Sequence, residues 1–335
     1  SQQSGGTNRE RERDIHTQTF ILSLSFCLFV SAPSFFFSFS LSLSLFVCVC
    51  VCVLEMSGGR SGAEPKSVQE CALIRDVWAD NLEEEFEAIR SIIDEYPCVA
   101  MDTEFPGVVA RPVGKFESAK DFNFAKLRCN VNLLKIIQLG LTFSNLEGEH
   151  PPGVCCWQFN FKFNLNGDMY AQDSIDLLVH SGIDFDVLPE RGIDLSDFAE
   201  LLMTSGVVLN PDVKWISFHS GYDFGYLTKL LTCQDLPSTD KEFFELLHTY
   251  FPCIFDIKYL MEICDRKGGL NQLAEEMNVD RIGPMHQAGS DSLLTSHVFF
   301  KLLKVYFSEG VTEDYEGMLY GLSDLPQGLE KVYQF

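Results

Sequence analysis

Three apolar runs, far apart in the chain, each give way to acidic residues, and no other feature constrains the fold as much. Cys98–Met101 runs straight into Asp102, Thr103 and Glu104; Lys214–Phe218 leads through a His219-Ser220-Gly221 turn to Asp223; and His286 stands five residues before Asp291, where the last amphipathic segment opens. In an α/β fold such junctions are the ends of strands, where ligands collect. A strand points Asp102 and Glu104 to one face, because its side chains alternate. Carboxylates gathered there repel one another unless cations neutralise them. Asp and Glu oxygens suit Mg²⁺ or Mn²⁺, and paired ions of this kind catalyse phosphodiester cleavage. The pattern predicts a metal-dependent nuclease.

Each motif alone has a plainer reading. Asp-x-Glu can be a polar strand edge, Asp291 a helix N-cap, Asp223 a local cap or pair, and His286 a hydrogen-bonded surface histidine. Their order lifts them above that: acid-x-acid after one strand, an acid after a later one, then His-x₄-Asp opening the last helix.

The 335 residues suffice for one large domain or two small ones. Residues 1–55 stand apart. The first methionine is Met56, Leu and Ser alternate over 41–45, and Val and Cys alternate over 47–53. A CT repeat in nucleic acid translates as Leu-Ser and a GT repeat as Val-Cys, so 1–55 reads as translated untranslated leader. A membrane span or a cleaved signal peptide would also account for the nearly uncharged stretch 20–54; the dipeptide repetition favours the leader. Gly- and Ser-rich residues after Met56, to about 73, read as a disordered lead-in.

The formal net charge is −23, and residues 1–55 hold only three of the 25 basic and four of the 48 acidic residues. Non-specific nucleic-acid binders carry a basic face, so a broad electrostatic grip on RNA is excluded. An enzyme that holds a few nucleotides through bound metal escapes that objection, with protein partners supplying the targeting. Four of the 12 cysteines fall in 1–55, and the other eight form no Cys-x-x-Cys pair. They read as small buried hydrophobes in a reducing compartment rather than a zinc or disulfide scaffold.

Periodicity gives the elements. Asn81 with Glu84 marks a capping box for a helix carrying Leu82, Phe86, Ile89, Ile92 and Ile93, stopped by Pro97. Strands are expected over 98–104, 135–143 and 155–163, the last alternating Trp157, Phe159, Phe161 and Phe163 with polar residues; the short loop 145–153 makes the second and third an antiparallel pair. Helices follow over 169–180 and 195–204, a strand over 214–219, a helix carrying Asp223, then helices over 240–250, 270–277 and 291–307. Residues 255–261 fit either a strand or a helix start. This order predicts an α/β domain with a mixed central sheet flanked by helices.

The sequence is also similar to a known family. The motif order resembles the DEDD exonuclease superfamily, histidine subtype. Segments 101–112 (Met-Asp-Thr-Glu-Phe-Pro-Gly-Val-Val-Ala-Arg-Pro), 132–141, 157–165, 218–227 and 281–292 (Arg-Ile-Gly-Pro-Met-His-Gln-Ala-Gly-Ser-Asp-Ser) resemble the poly(A)-shortening ribonuclease subunit of the CCR–NOT complex, the CCR-associated factor one or POP-two family. The likeness runs from about Ile74 to about Phe307. It implies a ribonuclease-H-like fold and a catalytic domain over 74–310; residues 311–335, beyond the likeness, read as an acidic C-terminal tail. It also implies two divalent ions held by Asp102, Glu104, Asp223 and Asp291, with His286 deprotonating the attacking water. The implied substrate is single-stranded poly(A) RNA, the product 5′-AMP, and the partners a NOT scaffold subunit and a CCR-type nuclease. Phe105, Phe116 and Tyr222 are of the type that stacks bases, and equally of the type that fills a core; Lys115, Lys126, Arg128 and Lys135 are phosphate contacts or solvated surface. Two rivals stay open: an exonuclease of the same superfamily acting on other RNA or single-stranded DNA, and an acidic non-catalytic adaptor. With no anchor or targeting run after Met56, the expected location is cytoplasm and nucleus, with no membrane attachment.

A chain beginning at Met56 is expected to equal the full chain in activity, because every motif lies downstream; a side-by-side turnover assay checks it. Mass-spectrometric detection of endogenous peptides spanning Thr17–Phe20 would overturn the leader reading.

Overall fold

The computed structural model describes residues 73–308, 310–311 and 315–324. The readings made for residues 1–72 lie outside them. Six strands form one mixed sheet: β1 (Ile74–Val77), β2 (Cys98–Glu104), β3 (Gln138–Ser144), β4 (Cys156–Asn160), β5 (Lys214–Ser217) and β6 (Cys253–Asp256), in spatial order β1-β4-β3-β2-β5-β6. β2–β3 and β3–β4 pair antiparallel, while β1–β4, β2–β5 and β5–β6 pair parallel. Helices cover both faces: α1 (Leu82–Ile92), α2 (Ala119–Leu133), α3 (Gln172–His180), α4 (Leu188–Arg191), α5 (Leu195–Met203), α6 (Gly221–Thr232), α7 (Asp240–Tyr250), α8 (Ile257–Ile263), α9 (Leu270–Met277) and α10 (Ala288–Tyr306). This is the expected ribonuclease-H-like class.

The alternation of β2 divides the core. Val99 and Met101 face one apolar cluster with Phe86, Leu127, Phe198, Phe224 and Phe243, from α1, α2, α5, α6 and α7. Cys98 and Ala100 face a second with Leu260, Leu273, Leu294 and Val298, from α8, α9 and α10. Continuing that parity, Asp102 and Glu104 turn toward α10 and Thr103 toward α6.

Several expectations need correction. Asn81 precedes α1 but forms no capping box: its Oδ1 accepts from the Trp78 backbone N–H at 2.8 Å rather than from the helix backbone. β1 and α2 were not anticipated. α2 carried a readable start, since Ser118 and Asp121 form a reciprocal capping box. Residues 255–261 are both alternatives in succession, the end of β6 and then α8. The last helix begins at Ala288, so Asp291 is no N-cap but lies in its first turn. The polar residues alternating along β4 are buried: Gln158 lies against the start of α10, and Asn160 bonds to Gln138, Asp76 and the Val77 carbonyl. The span read as an acidic tail is packed where it is described, over 315–324: Leu319 and Leu322 are buried in the first cluster, and the Tyr320 N–H donates to Asp256.

The seating of α10 depends on missing side chains. A Cβ on Gly140 of β3 would stand 2.0 Å from the Ala288 carbonyl oxygen, and one on Gly289 would stand 2.8 Å from Ile74. The orphan N–H groups of the helix start are taken up by the sheet: Ala288 donates to Gln138 Oε1 (3.3 Å) and Gly289 to Gln158 Oε1 (2.9 Å). Gly140→Ala is therefore expected to destabilise the protein by about 3 kcal/mol, since backbone cannot rotate away from the added methyl; a denaturant titration measures it.

Candidate metal centre

The tip of β2 lies between two helix starts. On the α10 side, Asp102, Glu104 and Asp291 each present a carboxylate oxygen, and these oxygens lie within 4.8 Å of one another. On the α6 side, Asp223 accepts from the Thr103 backbone N–H at 3.0 Å and from Thr103 Oγ1 at 2.6 Å. Asp223 is thus fixed beside the other three acids but stands outside that tight group, because Thr103 points opposite to Asp102 and Glu104.

This arrangement is electrostatically costly. Burial, then the charges of Asp291, Asp223 and Glu104, push the Asp102 carboxyl well above its ordinary range. Burial, then Asp291 and Asp223, push Glu104 up to about 8. Burial pushes Asp223 up to about 6 against the opposing hydrogen bonds from Thr103. Arg281 offsets part of the repulsion at Asp102 and Glu104. Its Nη2 lies 2.7 Å from Asp291 Oδ1, with side-chain exposures of 16% and 13%. Asp291 Oδ2 accepts from the backbone N–H of His286 (2.8 Å) and Gln287 (3.3 Å). A set of part-buried, mutually repelling oxygens that still hold free lone pairs fits hard divalent cations.

His286 is exposed on the turn before α10, in the left-handed region at φ 60°. Its backbone is pinned at both ends: the N–H donates to Asp291, and the carbonyl accepts from Ser181 Oγ at 2.8 Å. Phe105 and Tyr222 stack on each other, centroids 5.1 Å apart and 12° from parallel, so one face of each ring is already covered. Phe116 packs edge-on against Phe122, and Lys115 is exposed on the loop that carries Phe116. Lys135 is ion-paired with Asp168, and Arg128 donates to the Leu236 carbonyl, so both have structural partners. Sequence reasoning missed Thr103 and Arg281. The only available signal was their presence inside the two acidic motifs.

A model of CAF1 family ribonucleases matches residues 77–205 and 195–299. The chain belongs to this family. It is 57% identical over 256 residues to "Probable CCR4-associated factor 1 homolog 7" of Arabidopsis thaliana, covering 74% of this chain and 93% of that protein. It is 52% identical over 250 residues to poly(A) ribonuclease pop2 of Schizosaccharomyces pombe, covering 74% of this chain and 75% of that one. Among solved structures, the Mg²⁺- and Mn²⁺-bound form of S. pombe Pop2p is similar with a TM-score of 0.73 at 52% identity, covering 74% of this chain and 99% of that one. The CAF1 chain co-crystallised with the yeast NOT1 MIF4G domain gives a TM-score of 0.64 at 31% identity, over 77% of this chain and 100% of that one.

The raised carboxyls fix a pH dependence. Glu104 binds its proton more tightly folded than unfolded, so its contribution to stability is full below about pH 4.5, its ordinary value, and is lost as pH rises through about 8. Asp223 acts the same way, over the window ending near pH 6. Without metal, the melting temperature is expected to fall over this range, Glu104→Gln to reduce the fall, and Mn²⁺ to restore stability at about pH 8. Melting curves with and without chelator check the sign.

Proposed function

We propose that this chain is a divalent-metal-dependent 3′→5′ exoribonuclease that shortens messenger-RNA poly(A) tails, releases 5′-AMP, and so promotes mRNA decay and translational repression. One observation carries the reading: a ribonuclease of this family, 52% identical to a poly(A) ribonuclease and to a Pop2p bound to Mg²⁺ and Mn²⁺, gathers three carboxylates at a strand tip. Asp102, Glu104 and Asp291, with Asp223 on the other side of β2, would hold the two ions. When bound, these ions activate the attacking water and stabilise charge on the departing 3′-oxygen.

The protein's own residues supply position and proton transfer. Thr103 holds Asp223 in one orientation through two hydrogen bonds. Asp291 ties the His286 turn to α10 through the His286 N–H. The exposed imidazole accepts the water proton as the new P–O bond forms and the P–O3′ bond breaks. The part-buried Phe105–Tyr222 pair beside Glu104 and Asp223 would offer a ring surface to a stacked base, with Lys115 and Phe116 on the loop after Glu104 as further candidate contacts.

The chain works, on this reading, within the CCR–NOT complex, beside a NOT scaffold subunit and a CCR-type nuclease; the support is the relative solved with a NOT1 MIF4G domain. No helix among the described residues is long and apolar enough to cross a membrane. The seven described cysteines are free. A location in cytoplasm and nucleus rests on the sequence alone.

Poly(A), mixed-sequence RNA and single-stranded DNA oligonucleotides, each with Mg²⁺, with Mn²⁺ and with chelator, test the substrate and the metal together. Equal decay of all three would reduce the reading to a general exonuclease, and activity that survives chelation would end the metal assignment. Asp102→Ala and Asp291→Ala should each abolish shortening, and metal-free Asp102→Ala should melt at or above the metal-free parent, because it removes a buried group that its acidic neighbours repel. His286→Ala should keep Mn²⁺ affinity while lowering kcat by about a hundredfold. Calorimetric titration separates this from a ligand role, which predicts equal loss of binding.

A further inference from the structure

Arg281 has no part in the reading above, yet its guanidinium touches both the carboxylate group and the scaffold around the His286 turn. Its Nη2 meets Asp291 Oδ1 at 2.7 Å, Nη2 and Nε both meet Asn271 Oδ1 of α9 at 2.6 and 3.1 Å, and Nη1 meets Ser290 Oγ at 2.9 Å. Ser290, itself buried, passes its own hydrogen to the Ile282 carbonyl at 2.7 Å. A single planar fork therefore joins α9, the first turn of α10 and the segment that runs on to His286. Among the described residues, Arg281 is also the one cation ion-paired with a carboxylate of the group.

We propose that Arg281 is a positioning residue that locks Asp291 and the His286 turn in register, and that its fixed charge sets how tightly the acidic site holds divalent cations. The inference rests on the metal reading of that site. Two functions are separable here because two kinds of group hold Asp291. Its Oδ2 stays oriented by the His286 and Gln287 N–H groups without Arg281, so removing the guanidinium removes a competing positive charge more than it removes a ligand. The segment from Ile282 to His286, by contrast, loses the Arg281 fork that joins it to α9 and keeps only the Asn271 Nδ2–Met285 Sδ contact at 3.3 Å among its described links to that helix. A lysine would keep the charge, but a single ammonium lacks the planar fork that meets Asn271, Ser290 and Asp291 together.

The test titrates Mn²⁺ by calorimetry into the full-length parent, Arg281→Gln and Arg281→Lys, and measures kcat and KM on an oligoadenylate. Arg281→Gln should bind Mn²⁺ at least tenfold more tightly, the lower bound that a unit charge a few ångströms from a dication gives even at water-like screening. Its kcat should nonetheless fall at least tenfold. Arg281→Lys should bind Mn²⁺ within about twofold of the parent yet lose kcat about tenfold with little change in KM. If Arg281→Gln does not fold, judged by its melting curve, the lysine variant decides alone. Mn²⁺ affinity in Arg281→Gln equal to or weaker than the parent, or a lysine variant with parental kcat, overturns the proposal. A parent that binds no Mn²⁺ would instead overturn the metal reading itself.

Discussion

The close seating of the α10 start on the sheet is the contact on which the rest of the site depends. Gly140 has no side chain where the Ala288 carbonyl passes, and Gly289 has none where the helix meets β1 and β4. That approach lets Gln138 and Gln158, side chains rooted in β3 and β4, accept the first N–H groups of the helix. Those donors would otherwise be buried without partners, at a cost of about 1–3 kcal/mol each. Because Asp291 stands one turn into α10, the same seating brings its carboxylate to Asp102 and Glu104 at the tip of β2.

A second physical consequence follows from the geometry of a strand. Asp102 and Glu104 share a face and Thr103 has the other, so the acids approach from both sides of one strand end: Asp291 from α10 and Asp223 from α6. Thr103 is what turns this into a defined site, since its N–H and hydroxyl both fix Asp223. The result is a group of carboxylates whose mutual repulsion is built into the fold, with Arg281 as partial counter-charge. A protein of net charge −23 carries this arrangement without a broad basic face, which places the burden of holding a polyanion on the site itself rather than on the surface.

The periphery has the same logic of buried carboxylates serving as anchors. Asp256, at the end of β6, accepts from the backbone N–H groups of His219, Lys258 and Tyr320 at 2.8, 2.9 and 3.0 Å. It joins the turn before α6, the start of α8 and the packed 315–324 segment. Burial pushes its carboxyl up while these donors favour the charged form. The turn that presents Asp223 is thereby tied to a segment almost a hundred residues further along the chain.

The sequence by itself determined the alternation and the chemistry. Period-two runs located β2 and the antiparallel β3–β4 pair, 3.6-residue periodicity and stop signals located α1, α7 and α9, and the order of acids announced a metal-dependent nuclease of known family. Local signals were enough there because side-chain direction in a strand or helix depends on neighbours only a few residues away. What the tertiary structure alone decided lies across long separations. Gln158 and Asn160 alternate with aromatic residues, yet both are buried, Gln158 against the start of α10 and Asn160 against β1. Asp223 belongs to the acids by motif, yet stands across β2 from the other three because of the parity of Thr103. Asn81 reads as a cap until Trp78 offers its N–H first. Arg281 carries no periodic or compositional mark, since its partners Asn271, Ser290 and Asp291 converge only when α9 and α10 pack. Hydrogen-bond partners and charge neighbours are set by which surfaces meet in space, and no local pattern in the chain encodes that meeting.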